Sequence, residues 1–148
     1  MHGEQTLILK TRRLEYRLAF NSKVTVIGGN SGTGKTALCS FLSEFLHEGK
    51  NSAYSVESSC PVALLAGDWY TARLQLQHLA HTLLVVDEDA SYLESGLFAV
   101  MISRSSCYAV VMSHSMLKNI VGVSKEMHEL VSREDGDVYV IENRRLRG

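Results

Sequence analysis

The chain has 148 residues, 45% of them hydrophobic and 21% charged, with a formal net charge of −1. This is length for one sizeable core, so residues 1–148 are read as a single domain. The near-neutral charge gives no general electrostatic case for nucleic acid or a membrane surface, and no apolar run approaches the ~18 residues of a membrane span. Met1 to Lys10 lacks the apolar core of a signal peptide. Cys39, Cys60 and Cys107 are odd in number and lack C-x-x-C spacing, which reads as reduced thiols in a cytoplasmic protein.

Taken in order, residues 6–10 (TLILK) and 14–20 (LEYRLAF) are β-like runs around Thr11-Arg12-Arg13, a pattern that predicts an antiparallel hairpin. Leu14, Tyr16, Leu18 and Phe20 alternate with polar or small residues and define one buried face. Val24-Thr25-Val26-Ile27 then reads as a buried strand. The glycine-rich stretch Gly28-Gly29-Asn30-Ser31-Gly32-Thr33-Gly34-Lys35-Thr36 follows it. From Ala37 onward Leu38, Phe41, Leu42, Phe45 and Leu46 recur at helical spacing, predicting a helix from about 34 to 47.

Gly29 to Thr36 fits G-x-x-x-x-G-K-[ST], the phosphate-binding P-loop. Glycine lets successive N–H groups approach a phosphate, and a helix amino end adds unpaired donors and positive dipole. The candidate nucleotide-binding residues are thus Gly29, Asn30, Ser31, Gly32, Thr33, Gly34, Lys35, Thr36 and Ala37. Lys35 would reach the β- and γ-phosphates, and the Thr36 hydroxyl would ligate Mg²⁺. The competing reading, an accidental glycine turn, needs neither the strand before nor the helix after.

Further on, residues 53–56 and 61–66 read as strands, with Ser58 to Pro61 as a turn between them. Asp68 reads as a helix N-cap, and less readily as a polar residue near the site; Trp69 to Ala80 reads as an amphipathic helix. Thr82-Leu83-Leu84-Val85-Val86 is a short apolar run, read as a strand buried on both faces and ending at Asp87-Glu88-Asp89. A helix from about 91 to 103 and a buried strand over 107–112, ending at Ser113-His114, come next. Met116 to Val123 is a loop or short helix. Residues 127–132 and 138–142 form a hairpin about an Asp135-Gly136 turn, followed by the basic run 144–147.

Alternating strands and helices predict an α/β fold: a mainly parallel central sheet flanked by helices, with antiparallel hairpins near both termini. Ligands of such sheets bind beyond the strands' carboxyl ends. The glycine loop, Asp87-Glu88 and Ser113-His114 all follow strand ends. Four apolar residues before Asp87-Glu88 resemble a Walker B segment: Asp87 would support Mg²⁺, and Glu88 would polarise the attacking water, with Asp89 as the other choice. The plain alternative is an acidic turn that caps the next helix.

Together these segments resemble the ABC/SMC/RecF-like branch of P-loop ATPases, in which an acid follows Walker B. The resemblance implies a P-loop NTPase domain over residues 1–148, with ATP and Mg²⁺ as ligands. Catalytic roles fall to Lys35, Glu88 and His114, the last as the γ-phosphate switch histidine, and Thr36 and Asp87 become the metal residues. It also implies that the strand ending at Ser113 inserts between the glycine-loop strand and the Asp87 strand. The chain departs from the branch in lacking Leu-Ser-Gly-Gly-Gln and in having too little chain between the first helix and Asp87 for a helical subdomain. A protein partner or self-association would then complete the site. Arg104, Arg133, Arg144 and Arg145 are available for a transition-state cation, and the terminal arginines give nucleic acid only slight support. The alternatives are a small-molecule kinase and a non-catalytic nucleotide-dependent binding module. GTP is disfavoured because Asn143 is followed by Arg144, which breaks N-K-x-D.

Overall fold

The computed structural model describes residues 4–28, 35–48, 54–87, 90–113 and 125–146. Nine strands form one sheet: β1 (Gln5–Lys10), β2 (Leu14–Phe20), β3 (Val24–Gly28), β4 (Ser55–Ser58), β5 (Val62–Leu64), β6 (Leu83–Asp87), β7 (Tyr108–Met112), β8 (Lys125–Asp135) and β9 (Val138–Arg145). The helices are α1 (Lys35–Glu48), α2 (Trp69–His78) and α3 (Gly96–Arg104). The sheet order is β4-β1-β2-β9-β8-β3-β7-β6-β5.

This corrects the expected fold class. The parallel sheet flanked by helices, with hairpins appended at the termini, is replaced by one mixed, nearly closed, barrel-like sheet in which strands outweigh helices. The cause is pairing between distant segments. β9 pairs in parallel with β2, and β8 pairs in parallel with β3, so both hairpins become internal parts of the sheet. Closure follows from chain length. Nine strands laid flat would hold β4 and β5 about 38 Å apart. The link Ser59–Pro61 lets Ser58 and Val62 separate by at most about 14 Å, so the sheet must curl. Ser59 N–H donates to the Thr6 carbonyl on one edge, and the Pro61 carbonyl accepts from Leu83 N–H on the other.

The curled sheet has two apolar faces. On the inner face Leu38 and Leu42 of α1 pack with Tyr16, Phe20, Ile27, Val85 and Met112. On the outer face Ala72 and Leu76 of α2 and Phe98 and Ile102 of α3 cover Val26, Val86 and Val111. Alternation along β3, β6 and β7 sends neighbouring residues to opposite faces, which is why those runs are apolar apart from the buried Thr25 and the terminal Asp87.

Local differences from the expected elements have local causes. The helix expected over 91–103 is split: Ser91–Glu94 is a 3₁₀ turn, and Ser95 caps α3 by accepting from Leu97 N–H. In the β8–β9 turn the central pair is Gly136-Asp137 rather than Asp135-Gly136. Asp135 pairs with Val138, and Gly136 takes φ +64°, which suits glycine at the first central position of such a turn. Within the basic run, Arg144 and Arg145 extend β9, and Leu146 N–H donates to the Met127 carbonyl at 2.8 Å. Residues 116–123 lie outside the described residues. No described helix is long and apolar enough to cross a membrane.

Candidate functional site

β3, β7 and β6 lie side by side and parallel, with β7 in the middle. Ile27 pairs with Met112, and Met112 with Asp87, so the three carboxyl ends stand at one level. Ser113 N–H extends the ladder by one rung to the Ile27 carbonyl at 2.9 Å, and Ser113 is fully buried. Gly28, Ser113 and Asp87 therefore share one edge of the sheet. By strand alternation position 87 falls on the same face of β6 as Val85, the face packed against α1.

The chain leaves this edge at Gly28 and re-enters as α1 at Lys35. Of Lys35, Thr36 and Asp87 the backbone alone is described: the first two open α1, and the third closes β6. Ala37 is half-buried in the first turn. Gly29, Asn30, Ser31, Gly32, Thr33 and Gly34 lie outside the described residues, as do Glu88, Asp89 and His114. The three strands that lead into these segments end at one edge. Comparison of the chain with protein-family models and with curated proteins returns no match.

Asp68 is the N-cap of α2, accepting from Thr71 N–H at 2.8 Å. That hydrogen bond holds its carboxyl below the ordinary value. Burial raises the Tyr92 phenol to about 12, and the nearby Asp68 carboxylate adds to the rise. The Tyr92 O–H donates to the Ala66 carbonyl at 2.5 Å. Three of the arginines considered for a transition-state cation are engaged on the surface: Arg133 with Glu142 and Asp135, Arg144 with Glu129, and Arg145 with Glu126 at 3.9 Å.

Two carboxamides to which the sequence reading assigns no structural role organise the surroundings. Gln75 of α2 accepts from Ala66 N–H at 2.8 Å and donates to the Leu64 carbonyl at 3.0 Å. These are backbone groups that β5 turns away from β6. Asn143 of β9 accepts from Ala19 N–H at 2.9 Å and donates to the Ala19 carbonyl at 2.7 Å. It stands in for the rung after Arg17–Glu142, where the β2–β9 ladder stops. The second N–H of Asn143 faces His128 Nδ1 at 2.9 Å, so that nitrogen must accept. The proton then sits on Nε2, 3.0 Å from the Glu126 carboxylate, which also accepts from the Ser22 hydroxyl at 2.5 Å. His128 pairs with Ile27, two residues before the glycine loop begins at Gly29.

A signal for both carboxamides existed. Gln75 occupies an inward helical position with Ala72, Leu76 and Leu79, and Asn143 follows the buried Ile141 at period two. A polar residue at an inward position needs a partner.

Proposed function

We propose that the chain binds ATP with Mg²⁺ at the edge formed by β3, β7 and β6 and hydrolyses it by in-line attack of water on the γ-phosphate. The observation that carries this reading is the register of three strand ends. Gly28, Ser113 and Asp87 finish adjacent parallel strands within one residue of a common level, and Lys35 is the first residue of the helix that follows the glycine loop. In this reading the N–H groups of residues 29–34 and the amino end of α1 cradle the phosphates. Lys35 offsets charge on the β- and γ-phosphates, Glu88 polarises the water, and His114 contacts the γ-phosphate.

A threonine hydroxyl and a carboxylate are hard oxygen donors of the kind Mg²⁺ takes. Thr36, in the first turn of α1, and Asp87, at the end of β6, are the residues that would hold one such ion. The ion would supply charge stabilisation at the phosphate oxygens. The position of β7 between β3 and β6 supports the likeness to ABC/SMC/RecF-like ATPases. The missing signature segment points to a protein partner or a second copy as the completing surface, with hydrolysis switching that association.

Glu88→Gln tests the catalytic assignment. Phosphate release should fall by at least about a hundredfold, with ATP binding retained. Release at the wild-type rate would remove Glu88 from the mechanism. A wild-type chain that binds ATP and releases no phosphate is a nucleotide-dependent binding module instead.

A further inference from the structure

A cavity of about 620 Å³ opens between α1, the carboxyl end of β5 and the middle of β6. Its wall is a stripe of α1 residues, Ser40, Ser43, Glu44 and His47, spaced to share one helix face. Its floor is apolar: Leu64 and Leu65 from the end of β5, and Val85 from β6. The size falls within the range of small-molecule sites, and the mixture of an apolar floor with few polar groups is typical of them.

The polar wall is rich in acceptors. The Ser43 carbonyl can only accept, so the His47 Nδ1 2.8 Å away carries the proton of the neutral ring, and Nε2 is left with its lone pair. Glu44 is half-buried, and among the described residues its carboxylate has no ion-pair partner. The serine hydroxyls rotate to suit either role. A carboxylate and an imidazole lone pair beside an apolar floor call for an occupant with hydrogen-bond donors or positive charge at one end and hydrocarbon at the other. They disfavour a phosphate or carboxylate there.

We propose that this cavity is a binding site for a small organic amine with an apolar portion, its ammonium group held by Glu44. The proposal stands on the geometry of α1, β5 and β6 and does not require that the chain bind nucleotide. Because α1 is the wall and its amino end carries Lys35 and Thr36, an occupant here and a nucleotide would touch the same helix.

The test uses the full chain without nucleotide, observed by ¹H–¹⁵N NMR, with phenethylamine, tyramine and phenylpropionate as probes. The two amines should shift the amides of Ser43, Glu44, Leu64 and Leu65, and the acid should not. Glu44→Gln, on a half-exposed helix face where the two residues have like propensity, should raise the amine dissociation constant about fivefold with the melting temperature unchanged. The proposal is overturned if neither amine shifts these amides, if the acid shifts them equally, or if Glu44→Gln binds the amines as tightly as the wild type. The amine and acid comparison on the wild-type chain decides without any variant. Its failure leaves the ATP reading untouched, since no nucleotide is present.

Discussion

The side chain of Asn143 behaves as a piece of backbone. Its oxygen and nitrogen meet the N–H and carbonyl of Ala19 where β2 and β9 stop pairing, and its remaining N–H sets the tautomer of His128. Asn143→Leu keeps the volume and removes all three contacts, leaving the Ala19 groups and His128 Nδ1 without them. A loss of about 2 kcal/mol is expected, read as a lower urea midpoint at unchanged slope; a loss under about 0.5 kcal/mol would show that water replaces the carboxamide. Glu126 belongs to the same group. Hydrogen bonds from the Ser22 hydroxyl and from His128 hold its carboxyl below its ordinary value. The folded chain therefore releases this proton more readily than the unfolded chain. The resulting stability is complete above the ordinary carboxylate range and is lost as pH falls through the lowered folded-state value. Glu126→Gln should flatten that part of the acid limb in a plot of melting temperature against pH. An unchanged acid limb would mean the hydrogen bonds do not discriminate between the two protonation states.

At the scale of elements, β5 is the weakest part of the sheet: three residues at an edge. Its outward backbone groups are covered by two bonds from Gln75 of α2, and the Tyr92 hydroxyl adds a third by donating to the Ala66 carbonyl. An uncovered edge strand is a template for another chain. Gln75→Leu should cost about 1–2 kcal/mol and raise self-association on heating, seen together in calorimetry and light scattering. A melt as reversible as that of the wild type would show that α2 alone protects the edge. Element types were largely legible where one physical signal dominated. The apolar periodicity of Leu38 and Leu42 marked α1, the carboxylate of Asp68 marked the start of α2, and short apolar runs, interrupted in β3 only by Thr25, marked β3, β6 and β7. Signals failed where two competed. Ser95-Gly96 offered both an N-cap and a break, and the structure uses it to separate a 3₁₀ turn from α3.

At the scale of the molecule, side-chain alternation tells which face of a strand is buried and nothing about which strand lies beside it. Leu14, Tyr16, Leu18 and Phe20 announced an inward face, yet nothing in them names β9 as the neighbour of β2. Those long-range pairings turn two hairpins into parts of a nearly closed sheet, and they account for the corrected fold class. The shared edge of β3, β7 and β6 was legible because its parts are local: Gly28, Ser113 and Asp87 each stand at the end of an apolar run, and the three strands end at one level. The inward positions of Gln75 and Asn143 announced that each needs a partner and did not name it: Leu64 and Ala66 for the first, and Ala19, 124 residues away, for the second. The central claim is that this edge holds a nucleoside triphosphate through the glycine loop. Calorimetric titration of the full chain with Mg-ATP, alongside Lys35→Ala, tests it most directly. The account predicts saturable binding by the wild type and at least a tenfold loss, about 1.4 kcal/mol, in Lys35→Ala at unchanged stability. No binding by the wild type, or equal binding by both proteins, would contradict it.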